Sequence, residues 1–90
     1  MQKHIDTKIY GKVQGVGFRR GVKRLSLKLG LTGWVKNLPD GSVHLSVEGE
    51  SDKVDALINW CRTGTLLAQV KHLKITSNNL EGFTEFLIMT

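Results

Sequence analysis

Between Ile9 and Arg20 the chain leaves a strand-like alternation, passes Gly11, Gly15 and Gly17, and enters a helical pattern at Phe18. A strand joined to a helix through closely spaced glycines is tightly constrained. Glycine permits φ > 0, so successive backbone N–H groups can converge on one point. The helix then adds N–H groups that have no intrahelical acceptor, and the positive end of its dipole. Arg19 falls in that first turn, where its planar fork of donors suits two oxygens of a phosphate or carboxylate. An anion cradle fits this spacing; so does an ordinary glycine turn followed by a solvated arginine, and spacing alone leaves both open. Two sharper motifs are excluded. No Gly-x-x-x-x-Gly-Lys-Ser/Thr run is present, and a dinucleotide fingerprint requires a glycine where Arg20 stands.

Periodicity places the rest. Residues 4–13 alternate, with Ile5, Thr7, Ile9, Gly11 and Val13 on one side and His4, Asp6, Lys8, Tyr10 and Lys12 on the other, which predicts a half-buried strand. Phe18, Val22, Leu25 and Leu29 form one apolar stripe on a helix that Gly30 can end. No Ser, Thr, Asp or Asn precedes this helix as a cap, which leaves its first N–H groups to solvent or to a ligand. Residues 31–37 and 42–49 flank Leu38-Pro39-Asp40-Gly41 and read as a hairpin. A second helix is predicted over 51–63, capped by Ser51 or Asp52, with Val54, Leu57, Ile58 and Cys61 inward and Gly64 closing it. Val70, Leu73 and Ile75 mark a further strand, and residues 83–88 a short last one. The order strand, helix, strand, strand, helix, strand, plus the short final strand, predicts an α+β ferredoxin-like two-layer sandwich. Its two helices pack on one side of a mainly antiparallel sheet.

Ninety residues suffice for one core, so residues 1–90 are expected to form a single domain. No apolar run approaches the roughly 20 residues of a membrane span, and the first residues lack the apolar centre of a signal peptide, so cytoplasm is the expected compartment and no membrane partner is expected. Cys61 is the only cysteine, and its place on the inward stripe predicts a packed thiol. The net charge of +5 is compatible with an anionic small molecule or with nucleic acid.

Tyr10-Gly11-x-Val13-Gln14-Gly15-Val16-Gly17-Phe18-Arg19, followed by Gly33-Trp34-Val35-x-Asn37, resembles the acylphosphatase family. The likeness extends over essentially the whole chain. It implies hydrolysis of the carboxyl–phosphate bond of acyl phosphates by a monomer acting on a small-molecule substrate, with no metal, no organic cofactor and no nucleic acid. By the same resemblance Arg19 binds the phosphate, the backbone of Gln14, Gly15, Val16, Gly17, Phe18 and Arg19 forms the cradle, and Asn37 orients the attacking water. The chemistry agrees. An acyl phosphate expels a weakly basic carboxylate, so its hydrolysis depends mainly on placing a water and balancing charge on the phosphoryl oxygens. The sequence departs from the family pattern at Arg20, where relatives often carry a large or aromatic side chain, at Val22, where they often carry threonine, and at residues 63–67, which lack a frequent proline.

The competing reading is a non-catalytic ferredoxin-like module that binds an anion or RNA. Sheets that bind RNA stack bases on strand aromatics, and Ser42-Val43-His44-Leu45-Ser46-Val47 has none. His4, His44 and His72 show no ligand spacing and are expected to be surface strand residues, with Trp34 and Trp60 at or near the core. Lys12 and Lys36 lie close enough in sequence to the cradle to steer an anion towards it.

Overall fold

The computed structural model describes residues 1–89. Alternation in β1 (Gln2–Lys12) buries Ile5, Thr7 and Ile9 on one side, with Val13 continuing the row just past the strand. After α1 (Phe18–Lys28), β2 (Thr32–Asn37) and β3 (Val43–Glu50) form the hairpin, and β1 pairs antiparallel with β3 from Gln2 opposite Glu50 to Ile9 opposite Val43. Then come α2 (Ser51–Cys61), β4 (Gln69–Asn78) and β5 (Phe86–Met89). The strands lie in the order β4-β1-β3-β2-β5, antiparallel throughout except that β5 runs parallel to β2. Both helices cover one side of this sheet, α1 over β2 and β5, α2 over β1 and β3. This is the ferredoxin-like sandwich expected from the element order. Among the described residues no helix is long and apolar enough to cross a membrane.

The core is the seam between the layers. Phe18 and Val22 of α1 and Val54, Leu57 and Cys61 of α2 meet Ile9, Val35, Val43, Leu45 and Val47 of the sheet, all at 1% exposure or less. Burial pushes the Cys61 thiol up to about 12, so it stays protonated and packs as a small apolar group. α1 ends as its glycine predicts. Gly30 adopts φ 72°, and the N–H groups of Gly30 and Leu31 return to the carbonyls of Leu27 and Ser26.

Several expectations are corrected by tertiary context. α2 is not capped by Ser51 or Asp52: Glu50 holds the cap position without a side-chain bond, and the Ser51 N–H donates to the Met1 carbonyl at 2.8 Å. The helix closes at Cys61, two residues before the predicted end. The strand marked by Val70, Leu73 and Ile75 is present as β4, an edge strand on which Val70 and Leu73 pack against the core while Ile75 is 44% exposed. The last strand begins at Phe86, since residues 79–85 must first travel from one edge of the sheet to the other. Trp34 lies on the side away from the helices, edge-on to His44 and beneath the Lys36 ammonium, while Trp60 sits at the core edge against Phe18.

His4 is the largest departure, buried at 2% exposure where a surface residue was expected. The segment after β4 passes over it: Nδ1 donates to the Asn79 carbonyl at 2.8 Å, Nε2 and Ser46 Oγ share a hydrogen bond of 2.7 Å, and the Phe83 ring stands edge-on at 5.5 Å. Beside it Glu48, 5% exposed, accepts from the backbone N–H groups of Glu81, Gly82 and Phe83. Hydroxyl, imidazole and carboxylate stand in the order of a nucleophilic triad, but Ser46 is only 2% exposed and no substrate can reach it. The cluster instead fastens the crossing segment to the sheet.

Burial opposes charge on Glu48, and the three N–H donors outweigh it, holding the carboxyl below its ordinary value. A carboxylate with a depressed folded-state value stabilises the fold above its unfolded value, near 4.3, and that contribution is lost as pH falls through the folded one. Glu48→Gln is expected to cost about 1–3 kcal/mol at pH 7, the range for hydrogen bonds to a charged group. Urea titrations from pH 7 to pH 3 should show the gap between wild type and variant closing in the acid limb.

Candidate active site

The segment between β1 and α1 has alternating backbone hand. Gly15 and Gly17 adopt φ 73° and 76°, while no other residue type among those described has positive φ. Such alternation turns successive N–H groups to one side. A Cβ built on either glycine would meet nothing within 4 Å, so backbone conformation and not crowding demands glycine here. Gly17 is also the N-cap residue of α1, and no side chain caps the helix. Among the described residues the N–H groups of residues 15–20 find no acceptor, and the first intrahelical bond runs from the Gly21 N–H to the Gly17 carbonyl at 3.0 Å. The first turn of α1 carries no acidic residue.

This open loop is fixed at both ends. Gln14 turns its side-chain amide away from the cradle and donates to the carbonyls of Leu38 and Ser42 at 2.8 and 2.9 Å, joining the loop to the β2–β3 turn. That turn is itself closed by Asp40, whose carboxylate accepts from the Ser42 hydroxyl and N–H and is held below its ordinary value by those two bonds. From the other side, the Thr65 hydroxyl donates to the Val16 carbonyl at 2.7 Å, and Val16 packs against the core. The Phe18 ring, 1% exposed, meets Trp60 at 5.4 Å between ring centres. Sequence reasoning placed residues 14–19 together as the cradle. The structure shows that the side chains of Gln14, Val16 and Phe18 anchor the loop, while Gly15, Gly17 and the start of α1 face the open side.

A cavity of about 410 Å³ lies on that side, lined by Gly15, Gly17, Arg19 and Arg20 and closed by Val13, Phe18, Asn37 and Ile88. Arg19 is half-buried, and its Nη1 donates to the Met89 carbonyl of β5 at 3.3 Å. Asn37 ends β2 opposite Val43, and its Oδ1 is buried without a donor among the described residues. The structure therefore brings Arg19 and Asn37, eighteen positions apart in sequence, to one cavity with the glycine loop. Ile88 and the Met89 carbonyl could not be found from sequence, because only the parallel pairing of β5 with β2 carries the chain end there. No three His, Cys, Asp or Glu side chains among the described residues are grouped so as to hold a metal ion.

The acylphosphatase family model matches residues 5–88. An acylphosphatase of Methylococcus capsulatus is 47% identical over 88 residues, covering 97% of this chain and 96% of that protein. The structure of an acylphosphatase from Coxiella burnetii superposes with a TM-score of 0.94 at 36% identity, over 98% of this chain and 93% of that one. That of a Bacillus subtilis acylphosphatase superposes with a TM-score of 0.94 at 33% identity, over the full length of both.

Gln14→Ala removes both bonds that join the loop to the β2–β3 turn and is expected to cost about 1–2 kcal/mol. Amide hydrogen exchange of residues 15–17 should quicken more than that of the β1–β3 ladder. Equal quickening in both would mean that the side chain stabilises the fold without fixing the cradle.

Proposed function

The chain belongs to the acylphosphatase family and hydrolyses the carboxyl–phosphate bond of acyl phosphates, and we propose that the cavity at the start of α1 is where it does so. The phosphoryl group sits on the N–H groups of residues 15–19, with the Arg19 guanidinium on its oxygens, and Asn37 aims the attacking water. One observation carries this reading: a run of N–H donors without acceptors shares a cavity with a half-buried guanidinium and with a buried amide oxygen that lacks a donor. A buried polar atom without a partner is uncommon and costs stability, so the Asn37 amide oxygen beside open backbone donors points to a polar occupant.

Each group has a separate task. Backbone donors are fixed before the substrate arrives, so they oppose the negative charge on the phosphoryl oxygens without reorganising. Arg19 adds a full positive charge, and the Met89 carbonyl, which accepts from Nη1, limits its swing. The Asn37 Oδ1 accepts from the water and so points a lone pair of that water at phosphorus. As the water oxygen bonds to phosphorus, the bond from phosphorus to the bridging oxygen breaks and the carboxylate departs with the electron pair. The leaving carboxylate is too weak a base to need an acid, and with no acidic or imidazole side chain lining the cavity the proton of the water passes to a phosphoryl oxygen. On this reading the protein is a cytoplasmic monomer acting on a small molecule, and its one cysteine takes no part, being buried and protonated.

Arg19→Ala is expected to lower kcat by about 10³–10⁵, or roughly 4–7 kcal/mol, and to weaken competitive inhibition by inorganic phosphate. Asn37→Ala should lower kcat by at least about 10² while leaving phosphate inhibition in place, because it removes water placement and not anion binding. Steady-state kinetics on benzoyl phosphate with phosphate as inhibitor measures both. Full turnover by Asn37→Ala would remove its assignment.

A further inference from the structure

Arg20 lines the same cavity as Arg19 but stands at its exposed rim, next to Ile88. Neither guanidinium has a carboxylate within ion-pair distance among the described residues, and no acidic side chain lines the cavity. Two adjacent cations at a helix N-terminus are unfavourable, because the dipole already places positive charge there, and the first turn of α1 has no acid to offset them. A phosphoryl group on the loop and Arg19 answers one of these cations. The other is exposed at the rim of the same cavity, within the space open to the acyl part of the substrate.

Resting on the site assignment above, we propose that Arg20 makes a second anionic subsite, so that the enzyme favours acyl phosphates whose acyl group carries its own carboxylate. Phosphate and acyl carboxylate then bind at two distinct cations, Arg19 deep and Arg20 at the rim, with the hydrocarbon between them against Val13 and Ile88. Val13 is buried and Ile88 is 38% exposed, giving the middle of the substrate an apolar wall that leads outward to solvent. Arg20 here determines specificity and takes no part in the bond cleavage.

The test compares benzoyl phosphate with 4-carboxybenzoyl phosphate, a rigid pair that differs by one carboxylate and cannot cyclise. The wild-type protein is expected to prefer the carboxylated substrate in kcat/KM by roughly three- to tenfold, the scale of a charge pair partly open to solvent. That preference should shrink in 1 M salt, where the Debye length is about 3 Å. In Arg20→Gln the preference should fall to near one, and Arg20→Lys should restore part of it. The substrate ratio is the readout, since a merely structural role would lower both rates together. An equal fall on both substrates would overturn the proposal, leaving Arg20 as a general attractor of anions. A wild-type protein that cleaves benzoyl phosphate with no preference would overturn it as well, with the site assignment intact. Cleavage of neither substrate would overturn both.

Discussion

A short run of main-chain N–H donors is held open at the start of a helix, and the architecture around it serves to keep it so. A helix end normally satisfies its first donors with a cap, a solvent shell or a ligand. Here the cap position is Gly17, which has no side chain to offer, and its left-handed backbone, like that of Gly15, turns the donors outward. Left alone, such a loop would gain entropy by loosening. It is restrained by bonds made through side chains that point the other way. The Gln14 amide reaches the β2–β3 turn, the Thr65 hydroxyl reaches Val16, and the Phe18 ring enters the core. Preorganisation of this kind is what makes backbone donors effective against a developing charge.

The sheet order explains why the remaining groups converge there. α1 lies over β2 and β5, so its N-terminus overlooks the end of β2, where Asn37 stands, and the end of β5, where Ile88 and the Met89 carbonyl stand. Because β5 runs parallel to β2, both strands finish at the same edge as the glycine loop. Reaching that position obliges the chain to cross the open side of the sheet from β4, and Glu48 and His4 secure the crossing. Polar groups of the crossing segment thus precede the last strand, and that strand supplies the acceptor that holds the Arg19 guanidinium.

Much of this was legible in the sequence where the signal is local. The glycines, the missing cap and Arg19 mark the cradle, and the alternation of β1 and the stripes of α1 and α2 mark the core. What escaped depends on contacts far apart in sequence. His4 occupies an outward strand position, and alternation alone reads it as exposed; only the segment 79–83, more than seventy residues later, buries it. Ile75 fits the apolar side of its strand and is nonetheless exposed, because strand order, not composition, makes β4 an edge strand of the sheet. Ser51 has the chemistry of a cap, yet the Met1 carbonyl takes its N–H and the cap position moves to Glu50. The engagement of the Gln14 amide with the β2–β3 turn likewise has no local signature.

The two sides of the sheet also place their charges by different rules. On the open side each buried carboxylate or imidazole has partners: Glu48 holds three N–H groups, Asp6 lies beside His44 and Asn78, and His4 uses both ring nitrogens. Such pairing makes this cluster a fastening for the crossing segment. At the start of α1 the rule is inverted: backbone donors and one amide oxygen lack partners around a single space, beside two guanidinium groups that have no carboxylate among the described residues. Stability is lost where buried polar groups remain unpaired, and a polar ligand is one way to supply the missing partners. The asymmetry supports this cavity as the proposed place of catalysis, although both sides are rich in charged and polar side chains.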